Sequence, residues 1–425
     1  MKKVGVAILG MGVVGGGTYR ILTENKEFFA RTQDVEITVV SVLETNAERA
    51  KAAGVPEEAI ASNIAEIVGN PDVNIVVECI GGTGAAKDFV LVSLQAGKHV
   101  VTSNKELYSK YSYELERAAK RQHVGLYFEA SCVGGVPVIR TLLDGLQANR
   151  ISSLMGIING TTNYILTKMT EEGASYEEAL KDAKRLGYAE ADPSADVEGF
   201  DAAYKLSILS SLAFHTKVPF SKVVREGITN VSVEDVSDGK ALGYVLKLLA
   251  IGKQSDEGIE VRVHPAFVRK GHPLASVSDG FNAVFVTGDA VGDVMLYGRG
   301  AGALPTGSAI VSDVIYAATH VDHKYSTFKN TENADKNVAF IEDYKSAYYL
   351  RISVDDESGT LAKITSVLGK NHVSIVEMIQ RAKGEGKAEI VLITHETHEF
   401  AVRNAVAKIN ALGVAEIKSV LRVAS

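Results

Sequence analysis

The chain has 425 residues, with 45 Lys and Arg against 52 Asp and Glu, for a formal charge of −7. That balance argues against nucleic acid or an anionic membrane as the main partner. A composition of 46% hydrophobic and 23% charged residues fits a globular protein of two or three domains.

Two cysteines, Cys79 and Cys132, cannot build a disulfide framework and lack zinc-ligand spacing, which points to a reducing, cytoplasmic compartment. Met1-Lys2-Lys3 and the apolar run behind it imitate a signal peptide. Gly10 breaks that run, and Glu24 and Lys26 arrive too early for a membrane span, so Val4 to Leu9 reads as a first strand. GMGVVG follows at once. Gly10, Gly12 and Gly15 supply a tight turn, close approach to a pyrophosphate, and close packing of helix on strand. The helix N-terminus behind them offers amides to the phosphates, and the missing Lys-Ser/Thr pair argues against a triphosphate loop.

Val35 to Leu43 reads as the second strand and ends at Glu44, an acid placed to take the adenosine ribose hydroxyls and repel a 2′-phosphate. Arg49 is near enough in sequence to serve a phosphate instead. Val73 to Glu78 and His99 to Thr102 are further strands. The first runs into the small-residue turn around Thr83, and the second into Ser103-Asn104-Lys105, which puts a lysine at the carboxyl end of a parallel strand. Strands alternating with helices up to Glu129 make a doubly wound sheet.

The turn EASCVGGVP, Glu129 to Pro137, combines one carboxylate with several carbonyls, a donor set suited to a hard cation. Cys132 has two readings, a thiol nucleophile paired with a histidine such as His215, or a buried small apolar residue. Met155 to Ile158 reads as a strand, and a helix follows from about Tyr164 with Thr161 or Thr162 as cap. Ser175 and Glu178 form a capping box. Tyr176, Ala179, Leu180, Ala183 and Leu186 mark its buried stripe, and Gly187 ends that helix.

GYAEADPSADVEGFDAAYK then gathers Glu190, Asp192, Asp196, Glu198 and Asp201 ahead of Lys205. With a helix from Phe200, Asp201 and Lys205 lie one turn apart on one face. Acids there can hold a substrate ammonium while the lysine handles a proton on oxygen. The plainer alternative is a solvated acidic loop with one surface ion pair. From Ile259 to Gly302 short strands separated by turns suggest an antiparallel sheet. Residues 308 to 320 read as a helix long enough to return to the first domain, and 321 to 344 as a polar linker. The remainder reads strand–helix–strand–strand–helix–strand, a ferredoxin-like unit whose Asp355 to Gly359 turn opens a helix able to bind a small acid or amino acid.

Taken together these residues resemble the homoserine dehydrogenase family in its longer form with a C-terminal ACT domain. The resemblance covers essentially the whole chain and is carried by GMGVVG, SNKEL, EASCVGGVP, NGTTNYIL, GYAEADPSADVEGFDAAYKL, YGRGAGALPTGSA and the C-terminal module. It implies an α/β protein with four parts. A Rossmann-type dinucleotide-binding domain spans 1–130, and an α+β catalytic and dimerisation domain spans 131–320. A linker then covers 321–345 and an ACT domain 346–425. The implied reaction is reversible oxidation of L-homoserine to L-aspartate 4-semialdehyde with NAD or NADP, on the route to threonine and methionine.

By the same resemblance Lys205 is the proton donor and Lys105 its partner near the nicotinamide. Glu190, Asp201, Asp196 and Thr161 hold or support the substrate. Gly10, Gly12, Val13, Val14, Gly15, Thr83, Ser103, Lys105 and Gly302 meet the cofactor, and Glu44 joins them on its strand-end position rather than on the resemblance. Glu129 with the carbonyls of Cys132, Gly134 and Val136 resembles a sodium loop. An amino-acid effector at the ACT domain and a homodimer or homotetramer are the implied partners, with no nucleic acid and no membrane. Two departures stand out. Leu43-Glu44 replaces a common arginine, which weakens the case for NADP, and Ser358 replaces a common proline of the ACT turn. A non-catalytic amino-acid-sensing regulator and a cysteine-dependent semialdehyde dehydrogenase are the competing readings.

Overall fold

The structure, a computed structural model, describes residues 1–320 and 338–424. Its first unit is a six-stranded sheet in which every recorded pairing is parallel. The order is Ile60–Ala61, Val35–Leu43, Lys2–Leu9, Val73–Glu78, His99–Thr102, Leu126–Tyr127. The chain starts in the middle and works outward both ways. The strand order therefore reverses between Lys2–Leu9 and Val73–Glu78, and a crevice opens beyond their carboxyl ends. The apolar strand interiors are buried on both faces, as helix-covered parallel strands must be.

Gly10 sits in that crevice at φ +91°, where an added Cβ would press on the Cys79 carbonyl at 2.9 Å. At Gly17, farther along the helix Val13–Glu24, a Cβ would come within 2.2 Å of the Ala303 carbonyl. That contact brings in the helix Ala303–Thr319, which lies along the first helix and returns the chain to the dinucleotide-type domain. The sequence places this helix at 308–320; the extra N-terminal turn starts directly after Gly302.

The second unit is built on strands that pair antiparallel throughout, in the order Gly292–Arg299, Phe281–Gly288, Ile151–Ile157, Tyr244–Ser255, Gly258–Arg269. Tyr244–Ser255 is a strand that the sequence pattern conceals. It is buried along most of its length, so it shows no alternation, and its Leu, Ala and Lys content favours helix. On one side of this sheet lies the helix Phe200–Ala213, nearly all of it buried.

The C-terminal unit has the strand order Ala415–Val423, Lys345–Asp355, Lys387–Thr394, Ile375–Gly384, with helices Thr360–Lys370 and Glu399–Asn410. It is the expected βαββαβ unit, but its sheet is not separate. Ala415–Val423 pairs in parallel with Gly258–Arg269 through Ala266–Arg422 and Phe267–Val423, which makes one continuous eleven-stranded sheet.

A helix of the middle unit, Val233–Ala241, docks on the C-terminal sheet. Arg351 pairs there with Asp235 at 2.8 Å, and Tyr349 donates to Asp235 and Asp238 at 3.2 Å each. The expected linker lies mostly outside the described residues, but 338–341 run beside Ile259, exchanging backbone bonds of 2.9 and 2.8 Å. Among the described residues no helix is long and apolar enough to cross a membrane.

Candidate active site

Asp201 is the second residue of the Phe200–Ala213 helix, launched from Gly199 in the left-handed conformation at φ +80°. Its carboxylate is 6% exposed and serves two ammonium groups. Lys205, one turn on, donates to Oδ2 at 2.7 Å, and Lys105 lies 3.0 Å from Oδ1. Lys105 comes from the other domain, as the first residue of the helix Lys105–Arg121. Asn104 caps that helix through Leu107 N–H and donates to the Gly82 carbonyl at 2.7 Å, which ties the helix start to the cofactor-side turn. The solvated-loop alternative is thereby set aside, because both acid and lysine are buried.

Lys205 is held a second time, by the Ile158 carbonyl at 2.8 Å. Beside it Asn159 donates to Asp196 at 2.7 Å and to Asp201 at 2.9 Å, while its own carbonyl oxygen caps the helix Gly160–Glu172 through Thr162 N–H. Asn159 is the residue that sequence reasoning missed. The turn NGTTN suggested Thr161 or Thr162 as the cap and a start near Tyr164, whereas the asparagine ending the strand is the cap and the helix starts at Gly160. An Asn directly ahead of a Gly-Thr-Thr helix start was the available signal. Thr161 instead donates to the Tyr188 carbonyl at 2.6 Å, so it braces the turn that leads toward Glu190. Glu190 is exposed and Asp192 bonds to Ser194, and no recorded bond joins either to the cluster among the described residues. Leu186, placed in the buried stripe by its spacing, is exposed at the helix end.

The charges order themselves. Burial alone would raise Asp201, but Lys205 and Lys105 outweigh it and hold the carboxyl well below its ordinary range. Asp196 moves the other way, raised by burial and by the charge of Asp201. Lys105 is raised by Asp201 despite burial, so it is an ammonium at neutral pH. For Lys105 the neighbouring acid wins over desolvation. The arrangement can therefore offer protons and positive charge to an oxygen in the cleft.

On the cofactor side a cleft of about 600 Å³ is lined by Met11, Gly12, Val13, Gly16, Gly17 and Arg49. A Cβ added at Gly12 would meet no protein atom within 4 Å, so the room above that glycine is open. Val13 is 73% exposed there, and Val14 and Gly15 continue the same turn of helix. Glu78 accepts from Ile80 and Gly81 N–H and from the Thr102 hydroxyl at 2.8, 3.0 and 2.6 Å. It thus shapes the turn carrying Thr83 and anchors the strand end carrying Ser103. Gly302, φ +127°, precedes the helix that meets Gly17. Glu44 does not project freely. It accepts from Met11 N–H at 2.7 Å and Asn46 N–H at 3.0 Å, with Arg49 at 3.8 Å.

The Glu129 carboxylate accepts from Ile139 and Arg140 N–H at 2.9 and 2.7 Å, so its oxygens are already engaged. Burial and then Asp313 push it up to about 8, and the pair is answered by Arg140, 2.9 Å from Asp313. In this loop Val133 and Gly134 take positive φ in succession, 58° and 54°. Among the described residues no cluster of three His, Cys, Asp or Glu could hold a metal ion, so any cation here would rest on carbonyls. Cys132 is fully buried and its thiol is pushed up to about 12, chiefly by burial. His215 is exposed at the end of the Phe200–Ala213 helix. The thiol-nucleophile reading is not favoured.

Comparison with known proteins agrees across the chain. Residues 10–129 match the family description "Homoserine dehydrogenase, NAD binding domain", 137–315 match "Homoserine dehydrogenase", and 348–414 match "ACT domain". The homoserine dehydrogenase of Neisseria gonorrhoeae is 42% identical over 98% of this chain and 97% of its own length. That of Bacillus subtilis is 41% identical over 100% and 99%. A crystal structure of a homoserine dehydrogenase from Thiobacillus denitrificans superposes with a TM-score of 0.93 at 41% identity, covering 100% of this chain and 99% of that one. A hyperthermophilic archaeal homoserine dehydrogenase in complex with NADPH gives 0.64 at 29% identity, covering 74% and 97%.

A depressed carboxyl makes a prediction about acid. The stability that Asp201 contributes is complete above its unfolded value near 3.9 and drains away as pH falls below it. Urea midpoints at about pH 5 and about pH 3 should therefore fall further for the wild type than for Asp201→Asn. Equal falls would show that the carboxylate is not held by its lysines.

Proposed function

The chain belongs to the homoserine dehydrogenase family and is an oxidoreductase acting on a CH–OH group with NAD(P), and we propose how its residues divide that reaction. The observation that carries the proposal is one buried carboxylate shared by two ammonium groups from different domains, beside a dinucleotide cleft. NAD(P)H, when bound, supplies the hydride that L-aspartate 4-semialdehyde accepts at its aldehyde carbon. Lys205 gives the aldehyde oxygen its proton, and in the reverse direction takes it from the homoserine hydroxyl. Lys105 stabilises the negative charge that develops on that oxygen. Asp201 fixes both amines, and its ionised state lets it also receive the substrate ammonium. Asp196 supports it through Asn159, and Thr161 braces the turn from which Glu190 reaches the substrate. The non-catalytic reading is disfavoured because acids, lysines and cofactor cleft are all present together.

For the cofactor, the engagement of Glu44 with Met11 and Asn46 supports acceptance of a 2′-phosphate, with Arg49 on the cleft wall as its partner. We infer NADP use alongside NAD. Sodium, where bound, would be held by the carbonyls of Cys132, Gly134 and Val136 beside Glu129, and would fix the loop that a Cβ at Gly134 would drive into the Gly300 carbonyl. An effector at the ACT domain and assembly through sheet edges complete the reading. Both end strands of the long sheet carry exposed apolar side chains, Tyr297 on one and Val376 and Met378 on the other.

Lys205→Ala should lower kcat by about 10²–10⁴ while NADPH binding, followed by its fluorescence, is kept. Unchanged turnover would remove Lys205 from the chemistry. Arg49→Ala should raise KM for NADPH about tenfold, the worth of roughly 1.4 kcal/mol, and leave KM for NADH nearly alone; equal effects on both cofactors would refute a phosphate contact. Light scattering should give a dimer or tetramer, and a monomer would contradict the assembly.

A further inference from the structure

Between the helix Glu399–Asn410, the strand Ala415–Val423 and the loop at Glu226 lies a cavity of about 400 Å³. Its floor is a polar network. Glu399 accepts from Tyr348 at 2.7 Å, from Arg403 Nε at 2.8 Å and from Arg422 Nη2 at 2.9 Å. Arg422 pairs through Nη1 with Glu226, which belongs to the catalytic unit. One wall is apolar, formed by Val402, Val406, Ala407 and Val420.

The network is short of acceptors. Arg422 is 7% exposed, and its Nε has no hydrogen-bond partner among the described residues, although Nη2 on the same edge is taken by Glu399. Nearby, Arg262 lies 4.0 Å over the Tyr344 ring with Nε and Nη1 equally unpartnered. Buried guanidinium donors left unpaired are costly, so an acceptor that reaches one is favoured.

Glu226 is also wired to the catalytic centre. Its own N–H bonds to the Val263 carbonyl at 2.8 Å, and its neighbour Arg225 donates to the Glu198 carbonyl at 2.6 Å. The Arg225 guanidinium covers the Phe200 ring at 3.4 Å, and Ile228 N–H holds the Val197 carbonyl at 2.8 Å. These contacts grip the turn between Asp196 and Asp201.

We propose that this cavity is a regulatory site for a short aliphatic carboxylate, held by Arg422 and Arg403 against the valine wall and read at the catalytic centre through Glu226. The proposal rests on the ACT unit being an effector domain, but it seats the ligand at the junction with the catalytic unit rather than at the Asp355–Gly359 turn. A carboxylate that takes Arg422 Nη1, the nitrogen that holds Glu226, competes with Glu226. Release of Glu226 loosens the 224–228 segment and, through Arg225, the turn that sets Asp201.

Isobutyrate and L-valine are the probes and isobutyramide the neutral control, titrated by calorimetry into the full-length enzyme with homoserine oxidation assayed in the same samples. Both carboxylates should bind with millimolar or better Kd and shift KM for homoserine at least about twofold, and the amide should do neither. Val406→Phe, which fills the cavity without touching its charges, should weaken binding at least about tenfold and leave ligand-free kcat unchanged. Glu226→Gln should keep the binding and lose the KM response. Absence of carboxylate binding to active enzyme, or binding indifferent to Val406→Phe, would overturn the site; a KM response that survives Glu226→Gln would overturn the route. A wrong catalytic assignment would instead appear as missing turnover in every sample.

Discussion

One carboxylate, Asp201, is the constraint on which the catalytic arrangement depends. Two ammonium groups brought to one place repel each other, and a carboxylate between them offsets that repulsion. Asp201 meets them with separate oxygens, Lys205 at 2.7 Å and Lys105 at 3.0 Å. Breaking the buried Asp201–Lys205 pair would leave a buried charge uncompensated, at a cost of about 3–5 kcal/mol. Lys105, with its side chain 41% exposed, contributes a screened and smaller share. The three residues also span two domains, because Lys105 begins a helix of the dinucleotide-type sheet while Asp201 and Lys205 belong to the other.

The fold brings these ends together by two ordinary rules. In a doubly wound sheet the strands open at their carboxyl ends, so His99–Thr102 delivers Lys105 to the same rim as the glycine turn. In the neighbouring sheet Ile151–Ile157 delivers Ile158 and Asn159 to the point where the Phe200–Ala213 helix begins. Asn159 then does three things with one amide, capping a helix and donating to two acids. The returning helix Ala303–Thr319, locked against Gly17, keeps the two units from drifting apart. Catalytic distances of 3 Å between domains require such a lock.

Much of this was legible in the residues. Val35–Leu43, Val73–Glu78 and His99–Thr102 are found where their apolar runs place them, and the Ser175–Glu178 capping box closes the helix start it predicts. The i,i+4 spacing of Asp201 and Lys205 made an ion pair readable in advance. Its burial was suggested by the apolar end of the same helix. What escaped was information that is not local. Tyr244–Ser255 hides because burial on both faces erases its period, and the junction of the two sheets rests on two residue pairs far apart in sequence. Glu44 was read from its place at a strand end, where an acid faces a ribose; its bond to Met11 N–H depends on how the glycine turn folds back. Glu190 entered the acidic set through its place in the stretch and through the family resemblance, and its side chain lies exposed beside the buried cluster.

The continuity of the long sheet changes what the C-terminal unit can do. A module tethered by a flexible linker could report binding only by changing assembly or by collision. Here the last strand pairs with the catalytic sheet, and Arg351, Tyr349 and Arg381 fasten its face to Asp235 and Asp238 of the docking helix. Most of these groups are buried, so separating a pair would leave a charge uncompensated, and the contact resists sliding. Strain imposed on one unit must then be relieved in the other or at the few contacts that can yield. Glu226 is such a contact, since its side chain is 43% exposed while its guanidinium partner is buried. The rigid face transmits and the half-exposed pair gives way, which is the division of labour that coupling between two sites requires.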